Sequence, residues 1–334
     1  MKIDKSNLRK IILDFPKQFR IGLKSAENIK ISHIRTFEHS NLVICGMGGS
    51  ALPADILNIW LEENTISPPV KINRNYGLPY YVNQKHLVIC ISYSGNTEET
   101  LTAFEEARKR KLNIAAITSG GKLAELCEFH KIPAAIVPSG VPARMALGWQ
   151  FAALMKILAN SGLIRDAHKE IYGLENLLSP AGMENQGKKI AKELKGKIPL
   201  IYASSKMAKL ARIWKFKFNE NTKFPAFYNY FPELNHQEHN QFEGNRNDQF
   251  SVIILRDKTD HPRILKRMNL LAEILLREKV KVQFIDIDNG NMLLYRIFNN
   301  VLLSDWVSYY LALEYKIDPT PVKFNDEFKK LLAE

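Results

Sequence analysis

LVICISYSGNTEE, residues 87–99, decides the fold. Leu87–Ile91 is a short, continuous apolar run and reads as a buried strand. The chain then turns through Ser92-Tyr93-Ser94-Gly95-Asn96. A helical run over Thr97–Arg110 follows, with Leu101, Phe104 and Ala107 spaced as one core face. The same strand–turn–helix unit recurs on both sides. Leu42–Cys45 precedes Gly46-Met47-Gly48-Gly49-Ser50 and the helical run Ala51–Glu62. Ile114–Thr118 precedes Ser119-Gly120-Gly121 and a helix over Lys122–His130, and Ala134–Val137 adds a further strand. Such repetition predicts a parallel sheet with helices on both faces. Ligands of such sheets gather at the carboxyl ends of the strands, where these turns lie.

Further along, Arg144–Ser161 predicts a long apolar helix, and Leu163–Lys197 reads as more helix and a charged connection. A second α/β pattern then begins. Ile198–Ala203, Val252–Leu255 and Val282–Ile287 read as strands, and Ser204–Phe218, Pro262–Glu278 and Met292–Tyr315 as helices. The start of this half, Ile201–Ser205, loosely echoes Val43–Ser50. We therefore expect an N-terminal lobe over 1–155, a helical connection over 156–195 and a second lobe over 196–334. The amino terminus, MKIDKSNLRKIILDF, alternates charged with apolar residues and reads as one amphipathic helix, not a signal peptide.

Bulk composition narrows the function. The 334 residues give room for two ordinary domains. No apolar run approaches the roughly 18 residues of a membrane span, so no membrane partner is expected. Only three cysteines occur, and Cys45 and Cys90 stand in strand-like runs. That argues against a disulfide framework and for the cytoplasm. The net charge of +12 is spread along the chain without a dense basic cluster interleaved with aromatics. Nucleic acid is therefore not expected. A positive field would equally draw a phosphorylated metabolite, though a solvated basic surface is the plain alternative.

Ser92, Ser94, Asn96 and Thr97 stand between a buried strand and a helix start. A helix N-terminus offers unpaired N–H groups and the positive end of its dipole. Adding hydroxyls makes a phosphate cradle that needs no lysine. A plain helix cap by Asn96 or Thr97 would account for one polar residue. Ser50 lies on the corresponding turn of another strand and joins the candidates. Gly46–Ala51 also matches G-x-G-x-x-A, a dinucleotide fingerprint. That reading wants an acidic residue about 20 positions on. Lys71-Ile72-Asn73-Arg74 supplies none, so no nicotinamide cofactor is expected. Gly49 and its neighbours then serve to let the backbone approach a sugar.

These turns together resemble the sugar isomerase (SIS) domain. Pro142-Ala143-Arg144, Asn219-Glu220-Asn221-Thr222-Lys223, Phe231-Pro232-Glu233-Leu234-Asn235-His236 and Asp318-Pro319-Thr320-Pro321 resemble the bifunctional phosphoglucose/phosphomannose isomerase family, in order and over nearly the whole chain. The resemblance implies two SIS-type α/β lobes, each a doubly wound, mostly parallel sheet flanked by helices. It implies interconversion of glucose 6-phosphate or mannose 6-phosphate with fructose 6-phosphate through an enediolate, without a cofactor. Departures stand at Ala203, Ile213, Gln237 and His239, where the family usually has other residues.

The chemistry needs a phosphate grip, ring opening, a proton shuttle and enediolate stabilisation. Glu220 is the family's base by resemblance, and a partly desolvated carboxylate suits that role. Arg144, on a rigid loop after Ser139-Gly140-Val141-Pro142, would face the enediolate with a permanent charge. By resemblance, His236 opens the ring from the partner subunit of a homodimer, Lys329 or Lys330 assists, and Thr320 touches the sugar. Phosphate contacts fall to Ser50, Ser92, Ser94 and Thr97, and Gly49 joins them as a substrate-binding residue. His236 and His239 could instead ligate a metal, but no third ligand is evident. A non-catalytic sugar-phosphate-binding SIS module, or another phosphosugar isomerase, is the alternative.

Overall fold

The computed structural model describes residues 3–31, 41–63, 68–244, 247–287, 290 and 292–332. The amino-terminal amphipathic run folds as two helices, α1 (Leu8–Asp14) and α2 (Lys17–Ser25), instead of one. Pro16 lies between them, where it cannot donate the hydrogen bond that would continue α1. The chain divides into two compact units. One comprises Asp14–Leu178 with Met292–Leu294; the other comprises Met1–Leu13, Ser179–Asn291 and Tyr295–Glu334.

The first unit is built on five strands: β1 (Asn41–Cys45), β2 (Val70–Asn73), β3 (His86–Ile91), β4 (Asn113–Thr118) and β5 (Ala134–Ile136). Their order is β2-β1-β3-β4-β5, and every pairing is parallel. β3 is central and buried along its whole length. Val43, Cys45, Val88 and Cys90 point to one face. There they pack with Phe104 of α4 (Glu98–Lys109) and with Leu123 and Cys127 of α5 (Gly121–Phe129). All three cysteines are buried and free. The alternate residues Leu42, Ile44, Leu87, Ile89 and Ile91 are equally buried, so both faces are covered. The unit also holds α3 (Leu52–Glu62), α6 (Leu147–Asn160) and α7 (His168–Leu177). The strand order reverses between β1 and β3. That reversal leaves a crevice at their carboxyl ends, the usual ligand position of such a sheet.

The second unit repeats this plan with four strands: β6 (Ile198–Ser204), β7 (Phe227–Phe231), β8 (Phe250–Arg256) and β9 (Lys281–Asp286). Their order, β7-β6-β8-β9, is again wholly parallel and matches the first four strands of the other sheet. β7 is an edge strand inside the aromatic segment 224–240, where the sequence analysis places no strand. α8 (Pro180–Leu194), α9 (Ala208–Lys217), α10 (Pro262–Arg277), α11 (Leu293–Glu314) and α12 (Lys323–Leu332) complete the element list. Met268, Leu271 and Leu275 of α10 pack on Leu200, Tyr202, Val252 and Ile254 of the sheet. Asp4 accepts from the Leu8 and Arg9 amides and from the Tyr309 hydroxyl, which ties α1 to α11. No helix among the described residues is long and apolar enough to cross a membrane.

Candidate active site

The predicted phosphate turn sits at the switch point of the first sheet. The amide of Tyr93 donates to Ser50 Oγ (2.9 Å), joining the turns after β1 and β3. Ser92 Oγ donates to Thr97 Oγ1 (2.9 Å) and accepts weakly from the Thr97 amide. Thr97 stands at the N-cap of α4, and no side chain among the described residues caps the helix there. The first-turn N–H groups of a helix have no intrahelical partner and are of the kind that an anion accepts from. Ser50 and Ser92 are buried, Thr97 is half-buried and Ser94 is exposed. The acid that the dinucleotide fingerprint wants is replaced by Asn73, whose amide donates to the Gly77 carbonyl (2.7 Å).

Two close backbone approaches hold these turns. A Cβ on Gly95, at φ +73°, would stand 1.8 Å from the Gly120 carbonyl oxygen, so the turns after β3 and β4 nest only as glycine. A Cβ on Gly49 would stand 2.7 Å from the Arg144 amide nitrogen. The turn of Gly49 and Ser50 is thus packed directly against the backbone of Arg144. Arg144 lies in a 3-10 turn (Ala143–Met145) ahead of α6, and not within one long helix as the apolar pattern suggests. It is 3% exposed. Gln18 on α2, which sequence reading passed over, anchors that turn. Its amide donates to the Met145 carbonyl (2.7 Å), and its oxygen accepts from the Gly148 amide (3.0 Å).

In the second unit, α9 runs directly into a five-residue π-helix, Phe218–Thr222, that carries Glu220 half-buried. π-Helical turns are rare and concentrate at functional sites. Lys223 ends the turn in a left-handed conformation, φ +55°. Its ammonium donates to the carbonyls of Glu220 and Pro319, which links the turn to the Asp318–Pro321 loop. The Thr320 amide donates to the Asp318 carboxylate (3.1 Å). Glu220, Asn219, Lys223, Asp318, Pro321 and Phe324 are among the residues lining a cleft of about 680 Å³. Glu220 and the Thr320 loop therefore share one cavity. Lys329 and Lys330 are both exposed on α12. Helical spacing puts Phe324, Phe328 and Leu331 on one stripe, with Lys329 and Lys330 about equally far from it, one on either side.

His236 is exposed at the end of a 3-10 turn, Glu233–His236, anchored by fully buried Leu234. The next residues form a second 3-10 turn, Glu238–Glu243, so His236 and His239 do not share one helix. Among the described residues, no three His, Cys, Asp or Glu side chains are grouped to hold a metal ion. Glu238 fastens the segment to the sheet. It accepts from the hydroxyl of Tyr202 on β6 (2.8 Å) and from the amide of Asn229 on β7. Burial and the adjacent carboxylate push the Tyr202 phenol far above its ordinary range.

The corresponding switch point of the second sheet is filled differently. The Asp257 carboxylate, fully buried after β8, takes both 2.9 Å bonds of the Arg296 guanidinium and also accepts from the Thr259 amide. Asp260 lies beside it. Burial raises its pKa above the ordinary carboxylate value; a hydrogen bond with Ser204 opposes that shift and the Asp257 charge adds to it. Here the chain places a buried carboxylate of its own after the strand.

Comparison with known proteins agrees with both halves. Residues 37–157 match the SIS domain, and residues 183–332 match the bacterial phospho-glucose isomerase C-terminal SIS domain. The bifunctional phosphoglucose/phosphomannose isomerase of Caldicellulosiruptor bescii is 36% identical, over 97% of this chain and 98% of its own. That of Aquifex aeolicus is 36% identical over 88% of this chain and 91% of its own. A D-glucosamine-6-phosphate 4-epimerase of Sulfolobus acidocaldarius is 33% identical over 64% of this chain and 68% of its own. Among solved structures, the C-terminal domain of the Francisella tularensis glucosamine-fructose-6-phosphate aminotransferase superposes with TM-score 0.72. It is 15% identical and covers 96% of this chain and 100% of that one, a likeness of fold.

Proposed function

Because the chain belongs to the bifunctional phosphoglucose/phosphomannose isomerase family and is an aldose–ketose isomerase, we propose that its substrates are glucose 6-phosphate and mannose 6-phosphate, each interconverted with fructose 6-phosphate. The observation that carries this reading is the mounting of Glu220 on a π-helical turn in the wall of a cleft shared with the Asp318–Pro321 loop. In the open-chain aldose, the Glu220 carboxylate takes the proton from C2 and the electron pair it leaves passes to the C1 carbonyl oxygen. The enediolate that results is common to both aldoses, which differ only at C2. The hydroxyl proton of O2 passes to O1, and the Glu220 carboxyl returns the carbon-bound proton to C1, which gives the ketose. Arg144 balances the enediolate charge, and its guanidinium stays protonated throughout. Ser94, Thr97 and the first-turn amides of α4 hold the phosphate, with Ser50, Ser92 and Gly49 shaping the turn. His236 moves the ring-opening proton, since an imidazole exchanges protons near neutrality. Thr320 contacts the sugar.

Lys329 is the lysine we assign, by the resemblance of this tail to the family's. No metal or cofactor is assigned. A homodimer with His236 supplied by the partner subunit, in the cytoplasm, completes the proposal; the buried free thiols suit a reducing compartment. The test is a coupled assay of fructose 6-phosphate formed from each aldose, with and without chelator. Glucosamine 6-phosphate serves as the control for epimerase chemistry. Expected is turnover of both aldoses that survives EDTA and falls about 100- to 10,000-fold in Glu220→Gln, with loss of C2-hydrogen exchange into solvent. Wild-type exchange in that variant removes Glu220 from the mechanism.

A further inference from the structure

Lys217, the last residue of α9, is fully buried, and so is Asp305 in the middle of α11. Their charged atoms lie 2.7 Å apart. One turn later the Asn221 amide donates to Ser308 Oγ (2.9 Å), also in the interior, and Ser308 in turn donates to the Ser304 carbonyl (2.7 Å). Lys217 and Asn221 bracket Glu220 in sequence, and Asp305 and Ser308 are successive positions on one face of α11. The π-helical turn is therefore held to α11 by two buried polar rungs, one on each side of Glu220.

Such an arrangement is costly as a means of stability. Removing both charges from water commonly outweighs their attraction, and well-packed apolar residues do as well or better. A π turn also has poorer intrinsic geometry than the α-helix it continues, so something outside it must select it. We propose that Asp305 and Ser308 are positioning residues. Acting through Lys217 and Asn221, they fix the π turn and so aim the Glu220 carboxylate. This inference rests on Glu220 being the proton shuttle.

The test uses the full chain with the paired replacement Lys217→Met/Asp305→Leu, which removes both charges and leaves neither stranded. Expected are a thermal midpoint near that of the wild type, KM within about twofold, and kcat with C2-hydrogen exchange lowered about 10- to 100-fold, the scale of a misplaced catalytic group. Lys217→Arg keeps the pair and should retain most of kcat. A folded double variant with wild-type kcat overturns the inference. Should the double variant fail to fold, Ser308→Ala decides: a severalfold drop in kcat at unchanged KM supports the inference, and wild-type kcat overturns it. Glu220→Gln separates the two readings. Wild-type turnover there removes the shuttle itself, whereas an inactive Glu220→Gln beside a fully active double variant removes only the positioning.

Discussion

Ser94 is exposed at the lip of the β3 turn, whereas the Ser92 hydroxyl is buried against Thr97. Ser94→Ala should therefore raise KM at nearly constant kcat, by the roughly 1.5–3 kcal/mol of one hydrogen bond to a charged group. Sulfate should compete with substrate in the wild type. A KM unchanged in Ser94→Ala, measured at fixed ionic strength, moves the cradle elsewhere. Asp260 gives a pH-dependent case. Its pKa is raised in the folded chain, chiefly by burial. Folding therefore favours the protonated form, and the contribution of Asp260 to stability is lost as pH rises from the ordinary carboxylate range through the raised value. Asp260→Asn should consequently gain in thermal midpoint relative to the wild type between about pH 4 and pH 7. Equal differences at both pH values would show that the carboxyl titrates alike folded and unfolded. The sequence carried a signal for another buried charge. Leu210, Ile213, Trp214 and Lys217 follow helical spacing, and so do Phe298, Val301, Leu302 and Asp305. A lysine and an aspartate occupying core positions of apolar stripes invite a search for each other.

The strands with long apolar runs were legible because burial on both faces leaves a continuous pattern, as in β1, β3 and β4. β7 was not. Among the described residues it pairs only with β6, exposes Phe227, Tyr228 and Tyr230, and buries Phe231 alone at its end. Edge position removes the apolar run, and Pro225 and Pro232 on its flanks look like loop punctuation. The 3-10 turn of Arg144 was hidden for the opposite reason: the apolar run of α6 continues through it without a break. What ends that turn is tertiary, the side chain of Gln18 filling the hydrogen bonds of Met145 and Gly148. Gln18→Ala should cost about 1–3 kcal/mol of stability, because it leaves buried backbone groups without a partner. It should also lower kcat more than Ala substitutions on the exposed face of α2, since the Arg144 turn loses its anchor. Denaturant melts and steady-state kinetics on the same preparation check both.

Two sheets that share one order over four strands, one with a serine-rich turn at its switch point and the other with the buried pair of Asp257 and Arg296 there, describe a duplicated plan. The order of motifs made the plan visible from the sequence; the buried pair was not, because Asp257 and Arg296 lie 39 positions apart. At this level the homodimer proposal is testable by complementation. Glu220→Gln and His236→Ala chains, each inactive alone, are refolded together. If each active site combines Glu220 of one chain with His236 of the partner, a mixed dimer contains one intact site, and activity returns toward a quarter of the wild-type value for random pairing. Mixed dimers that form and stay inactive place His236 with its own Glu220 or outside the reaction.

The three thiols packed beneath the β1 and β3 turns carry a practical corollary. Burial pushes Cys127 up to about 12 and Cys90 well above the ordinary thiol value. For Cys127, only about one part in 10⁵ would be thiolate at pH 7. Maleimides and iodoacetamide attack thiolates that they can reach, and the native chain offers them almost none. For labelling, the protein behaves as cysteine-free. A fluorophore or spin label placed through one introduced surface cysteine, on α12 for instance, would report from a single known position with every native cysteine left in place.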